Sequence, residues 1–404
     1  MTTTFPPTSA SPPPVAQVGP VAWVRKNLFN GWFNSLLTLA IGALLLNTAV
    51  GFIRWSTTIA KWQVIPANLP LYFAGRFPAS QYWRLWLVVG LLAVLSGLSW
   101  GMLARNATKL FTRPVLMTVG VIALVAVLVP TPVPYRVLIL AIEAALLGGA
   151  WAGWQIGKKA PGLGKWLSVA WTLSFFIVLW LLLGGLGLPK VETTAWGGLL
   201  LTVFMSVISI ILCCPFGVLL ALGRQSNLPV IRWISTIYVE VVRGVPLISI
   251  LFIGSVMIPL FLPSGIRPDL VLRAIIGLTL FSAAYLAENV RGGLQSIPRG
   301  QTEASRALGL STPLTVALIV LPQALKVSIP SIVGQFISLL QDTTLVSIIG
   351  LFDLLGISRA ILANPNFLGR YSEVYLFIGL IYWVICYAMS WGSRRLEESL
   401  HTGR

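Results

Sequence analysis

Ten apolar runs, each near the length that crosses a bilayer as a helix, set the limits on what this chain can become. A spanning helix needs about 20 apolar residues. The runs lie at 32–53, 84–104, 114–130, 134–156, 166–187, 195–222, 238–262, 270–290, 326–351 and 374–393. Hydrocarbon offers backbone N–H and C=O groups no partner, so each run must satisfy its own by folding as a helix. The expected fold is therefore all-α, a polytopic membrane bundle of about ten transmembrane helices. Composition excludes the soluble alternative: the chain is 56% hydrophobic and 10% charged, against about 25% charged in soluble domains.

The charge balance gives the orientation. The net charge is +17, from 28 Lys and Arg against 11 Asp and Glu. A basic chain can bind nucleic acid, but here the cations sit in short loops between apolar runs and not on one polar face. Arg25 and Lys26, Arg105, Lys109 and Arg113, Lys158, Lys159 and Lys165, Arg224 and Arg232, Arg291, Arg299 and Arg306, and Arg394, Arg395 and Arg404 fall on one side of a ten-span chain. The positive-inside rule makes that side the cytoplasm and puts both termini there. The opposite loops are poorer in cations, with Lys61, Arg76, Lys190, Arg267, Arg359 and Arg370. The long first outer loop, 54–83, carries Trp55, Trp62, Tyr82 and Trp83, which belong along the outer interface. Residues 1–20 hold six prolines and no charge, which reads as a disordered tail and not as a signal peptide. Cys213, Cys214 and Cys386 lie scattered in apolar runs and His401 is the one histidine, so neither a metal cluster nor a Ser-His triad is expected.

Polar residues concentrate in the second half. The most informative stretch is 291–330. Glu303 to Leu308 is built of helix formers, Thr302 is placed to cap them and Gly309 to end them. Ser311 and Pro313 open a second short helix, and Leu321–Pro322 is expected to break it before the ninth span. Arg243-Gly244-Val245-Pro246 predicts a kinked span entrance.

The pattern Glu303–Ala304, Gly309, Ile319 and Leu321–Pro322 resembles the "EAA" loop of bacterial ABC importer permeases, with Ser305 in place of the usual second Ala. Glu240 through Leu247, Ala284 through Gly293, Leu321–Pro322–Gln323–Ala324 and Gln341 through Leu345 narrow the resemblance to the polar amino acid permeases, which include histidine, glutamine and arginine importers. It covers about 195–395 and, within that subfamily, is similar to the subset with a long N-terminal half. Gln341 departs from the Lys that many relatives carry.

The resemblance implies a type I importer core at 191–395 with a cytoplasmic coupling loop at 291–325. It leaves accessory spans at 32–190, an N-terminal tail at 1–31 and a C-terminal tail at 396–404. It implies an assembly with two ATP-binding cassette subunits, with this loop docking into a cleft on the ATP-binding subunit through Glu303, Ala304, Ser305, Gly309, Ile319, Leu321 and Pro322. It also implies a second permease subunit, a paralogue, and a periplasmic substrate-binding protein, all in or at the bacterial inner membrane. The chain has no Gly-x-x-x-x-Gly-Lys-Ser/Thr loop, so ATP and Mg belong to the partner subunits and the chain is not itself an enzyme.

Acidic residues inside spans are costly and mark a site or a pathway by default. Ser331, Gln335, Ser338 and Asp342 fall in one helical stripe, expected to line the path, with Asp342 attracting an amino acid's ammonium group. The plainer alternative is that Asp342 pairs with a neighbouring helix. Ser282, Tyr285 and Asn289 form a similar stripe. Glu288 with Arg291, and Glu240 with Arg243, have the spacing of local pairs. Gly184, Gly185 and Gly187 suit close helix packing, and Glu143 an interhelical hydrogen bond. Two rivals stand beside the importer. An ion-gradient-driven secondary amino acid transporter would leave the loop without a purpose and predicts internal symmetry that is not visible. A membrane scaffold would have no need of polar stripes.

Overall fold

The computed structural model describes residues 19–128, 131–263 and 268–401. The stretch 1–18, the end of the third expected span at 129–130, Arg267 and Arg404 lie outside the described residues. Among those described, helix dominates and β pairing is confined to two isolated bridges, Gly185–Leu188 and Gly198–Asp353.

The chain divides into two compact units, Met1–Lys61 and Trp62–Arg404. The first holds α1 (Trp32–Arg54), none of whose residues is buried. The second holds α2 (Tyr82–Leu103), α3 (Arg113–Leu128), α4 (Val133–Lys159), α5 (Gly164–Leu183) and α6 (Gly198–Arg224). It continues through α7 (Pro229–Gly244), α8 (Leu247–Phe261), α9 (Leu270–Gln295), α10 (Arg299–Ala307), α11 (Leu321–Asp342), α12 (Leu354–Leu362) and α13 (Tyr371–His401). Among the described residues eight helices are long and apolar enough to cross a membrane: α1, α2, α4, α5, α6, α9, the Thr312–Ile349 rod that contains α11, and α13. The α7–α8 pair is a ninth candidate. The remaining expected span is α3, whose described part has 16 residues and runs up to 129–130.

The seventh span is not one rod. Its halves meet at 104°, because Pro246 lacks an N–H and excludes helical geometry from the residue before it. Val245 accordingly sits at φ −106°, ψ 134°. The break expected at Leu321–Pro322 is absent. Thr312–Thr315 runs through a π-turn, Val316–Val320, directly into α11, with Pro322 in the first turn of α11, where a missing N–H costs little. Thr302 does not cap α10 either: the cap position is Pro298, with no side-chain bond.

Small-residue packing occurs at sites the sequence did not single out. A Cβ on Gly97 would lie 2.2 Å from the Leu146 carbonyl, and one on Gly153 would lie 2.3 Å from that of Leu98. These glycines let the α2 and α4 backbones touch. Gly184, Gly185 and Gly187 instead form a turn with φ of 77°, 89° and 93°. Glu143, on α4, has its Oε1 buried without a hydrogen-bond partner among the described residues.

The first long loop is not plain. Val64–Ala67 and Leu69–Ala74 are short helices wedged against α12 and α13. Tyr72 is fully buried, its ring edge-on to Phe377 at 5.1 Å, among Leu354, Ile357 and Val374. Gly75 meets Gly197 so closely that a Cβ would lie 2.4 Å from the Gly197 Cα. Within the second unit, the wedge packs the segment after Trp62 against α12 and α13.

Candidate functional site

The loop between α9 and α11 is an elbow of two short helices. Its first arm, α10, ends in a Schellman motif. Gly309 adopts φ +76°, its N–H donates to the Arg306 carbonyl at 2.9 Å, and the Leu310 N–H donates to the Ser305 carbonyl at 3.1 Å. Ser305 is 1% exposed. Its hydroxyl donates to the Thr302 carbonyl at 2.8 Å and lies 3.0 Å from the buried Thr315 hydroxyl on the second arm. The Ala-to-Ser departure therefore fastens the two arms together. Gln323 closes the base, donating to the Ile319 carbonyl at 2.8 Å and reaching Gln301 Oε1 at 3.3 Å. Outward, the elbow presents Glu303, Ala304 and Pro322, with Leu308 80% exposed. Ile319 and Leu321 are half-buried at its root. The elbow is thus fastened inside and carries an exposed apolar side chain at its tip.

Above it, α9 and α11 interlock. A Cβ on Gly293 would lie 2.0 Å from Ser328 Oγ. Ser328 donates to the Asn289 carbonyl at 3.2 Å, and Asn289 Nδ2 donates to the Ser331 carbonyl at 3.1 Å. The two predicted stripes therefore meet at Asn289 and Ser331 and differ in exposure away from that contact. On α11, Ser331 and Ser338 are exposed, and Gln335 and Asp342 are half-buried. Val327, Gly334 and Gln341 extend the same open face. On α9, Ser282 is fully buried with its hydroxyl unpartnered among the described residues. Tyr285 stacks near Phe281 at 4.9 Å and lies under the Arg243 guanidinium at 5.4 Å.

The expected local ion pairs form only in part. Glu288 and Arg291 pair through both carboxylate oxygens. Glu240 does not take Arg243. It pairs with Arg224 of α6 at 2.7 Å, and Arg243 approaches Glu288 at 3.6 Å. Arg224 also reaches Glu288, at 3.1 Å. One carboxylate thus lies among three guanidiniums drawn from α6, α7 and α9.

At the far end of the bundle lies a polar knot that sequence reasoning missed. Asp353 is fully buried and caps α12, accepting from Leu355 N at 3.1 Å and Gly356 N at 2.9 Å. Burial pushes its carboxyl above the ordinary range, against those two N–H groups, the Tyr382 hydroxyl and the nearby Arg359. Tyr382 donates to it at 3.4 Å, and Thr202 accepts from Leu354 N at 3.0 Å. The available signal was an Asp just ahead of Leu354–Leu362, the order of an N-cap.

Comparison with known proteins agrees with this geometry. Residues 213–402 match the family model "Binding-protein-dependent transport system inner membrane component". The inner membrane amino-acid ABC transporter permease protein YhdY of Escherichia coli is 36% identical, over 95% of this chain and 94% of its own length. The glutamate/glutamine/aspartate/asparagine transport system permease protein BztC of Rhodobacter capsulatus is 38% identical, over 96% of this chain and 95% of its own. The probable glutamine ABC transporter permease protein GlnP of Bacillus subtilis is 38% identical over 50% of this chain and 91% of its own length. Two of these relatives match the chain nearly end to end, including its N-terminal half, and the chain belongs to the family of amino-acid ABC transporter permease proteins.

Proposed function

We propose that this chain is the membrane-spanning subunit through which an ATP-driven importer passes amino acids across the bacterial inner membrane, with the elbow on the cytoplasmic side. The observation that carries this reading is the elbow itself, two arms fastened at Ser305 and Thr315 with Leu308 projecting from the turn. Two ATP-binding subunits hold ATP and Mg, and one of them grips the elbow. A second permease, a paralogue, completes the pathway, and a periplasmic binding protein delivers the amino acid. Purification of the solubilised complex from native membranes tests the assembly: ATP-binding subunits and a second permease should accompany this chain. Uptake surviving reconstitution without any ATPase would refute it.

Within the path, the open face of α11 is the substrate's route, and Asp342 is the acceptor for its ammonium group. The carboxylate stands half-buried at the end of that face, beside exposed Gln341 and Ser338. A hydrogen bond to a charged group contributes ~1.5–3 kcal/mol, and every ~1.4 kcal/mol is tenfold in affinity. Asp342→Asn should therefore raise the half-saturating amino acid concentration about tenfold or more in proteoliposomes. Unchanged uptake and selectivity would remove Asp342 from the path.

A further inference from the structure

The cluster around Glu288 has no part in the stripes or the elbow, yet it joins them. We propose that Glu288 is a positioning residue that carries the displacement of the coupling elbow into the bent span α7–α8. The proposal rests on the coupling reading above. The helices on either side of the elbow, α9 and α11, are interlocked at Gly293 with Ser328 and at Asn289 with Ser331. A push on the elbow therefore moves both helix ends together. Glu288 precedes Gly293 by five residues, which at about 100° per residue puts it on a different face of α9, away from α11.

From that face its carboxylate reaches two other elements. Oε2 meets Arg224, the last residue of α6, at 3.1 Å and Arg243, at the end of α7, at 3.6 Å. Arg291 holds both oxygens from one turn along the same helix. Arg224 continues the chain of charges to Glu240 of α7 at 2.7 Å. Arg243 lies just ahead of the 104° bend, where the helix is interrupted. It also lies on the ring of Tyr285, 5.4 Å from the centroid. The ionic joint thus ends at the hinge of the bent span, next to an aromatic of the central helix.

The charges are asymmetric. Three guanidiniums share Glu288, and Glu240 contacts one of them. Removing the Glu288 carboxylate leaves Arg243 and Arg291 without an anion and sets three like charges against each other. Removing Arg291 leaves both links from Glu288 to α6 and α7 in place. A cluster that merely stabilises the fold gives no reason for that ranking in coupling.

The test uses the assembled importer, with its partner permease, ATPases and binding protein, in proteoliposomes. The quantity read is amino acid taken up per ATP hydrolysed. Because coupling between distant sites is typically about 5–150-fold, Glu288→Gln should lower this ratio by about tenfold or more while the ATPases continue to turn over. Glu288→Asp should recover most of it, and Arg291→Gln should lower it by less than about threefold. Arg243→Gln serves if Glu288→Gln fails to assemble, since it cuts only the link to the bend; its ratio should fall about fivefold or more. A Glu288→Gln ratio within about twofold of wild type, equal losses in Glu288→Gln and Arg291→Gln, or an unchanged Arg243→Gln would each overturn the proposal. Wild-type protein showing no ATP-dependent uptake would instead overturn the importer reading.

Discussion

Gly198→Val should cost the fold a large share of its stability. Gly198 opens α6 at φ +60°, and a Cβ there would lie 2.3 Å from the Tyr72 carbonyl and 2.6 Å from that of Leu71. Its N–H donates to the Phe352 carbonyl at 2.9 Å, and its own carbonyl accepts from Thr202 at 3.1 Å. The residue therefore touches the wedge, the segment before α12 and its own helix at once, all through backbone atoms that cannot rotate away. Left-handed backbone costs a side-chain-bearing residue about 1–2 kcal/mol, and overpacking adds about 1–3 kcal/mol. The sum, ~2–5 kcal/mol, is a large share of a typical stability of about 5–15 kcal/mol. At ~2–4 °C per kcal/mol, the detergent-solubilised protein should melt roughly 10 °C lower, as read by fluorescence-detected gel filtration. Melting within about 2 °C of wild type would mean that the wedge and α6 are free to separate.

The same junction shows where sequence stops being informative. Hydropathy is local, so the spans and the elbow could be read from single stretches. So could the bend, because Gly244 and Pro246 act on their own neighbours. Its angle could not be read, because it depends on what α7 and α8 each pack against. The wedge was invisible for a related reason. Tyr72 and Gly75 lie in the loop that holds the expected aromatic belt, and nothing near them in sequence announces Phe377 or Gly197 as neighbours.

Charge pairing failed in the same way. Spacing of three residues offers Glu240 a partner in Arg243, but Arg224 arrives from another helix and takes it. Helical spacing also fixes which residues share a stripe without fixing how the helix is turned. The α11 stripe faces out, whereas Ser282 of the α9 stripe is buried inside the bundle. Ser305 stood out only as a departure from a family pattern, and its partner Thr315 lies ten residues away across the elbow.

The elbow gives the second large effect, and two of its glycines separate backbone geometry from simple contact. Gly300 and Gly309 both face open space, with nothing within 4 Å of an added Cβ, but only Gly309 has positive φ, at +76°. Valine at a left-handed position is a genuine conformational outlier. To relieve it, the backbone must abandon the bonds from Gly309 to Arg306 and from Leu310 to Ser305 that turn the first arm into the second. No core residue is touched, so the bundle should remain folded while Leu308 is presented in the wrong place. The expected result for Gly309→Val is assembled protein whose ATP-dependent uptake falls about tenfold or more, the scale of losing at least ~1.4 kcal/mol of docking free energy. Gly300→Ala, in the ordinary helical region of α10, should keep uptake and gain about 0.4–1 kcal/mol of stability from a stiffer unfolded chain. Uptake measured side by side decides between two accounts of the loop. Loss in Gly309→Val alone makes the left-handed turn the feature the ATPase reads. Equal retention in both variants would mean that the grip depends on Leu308 and its neighbours whatever path the backbone takes.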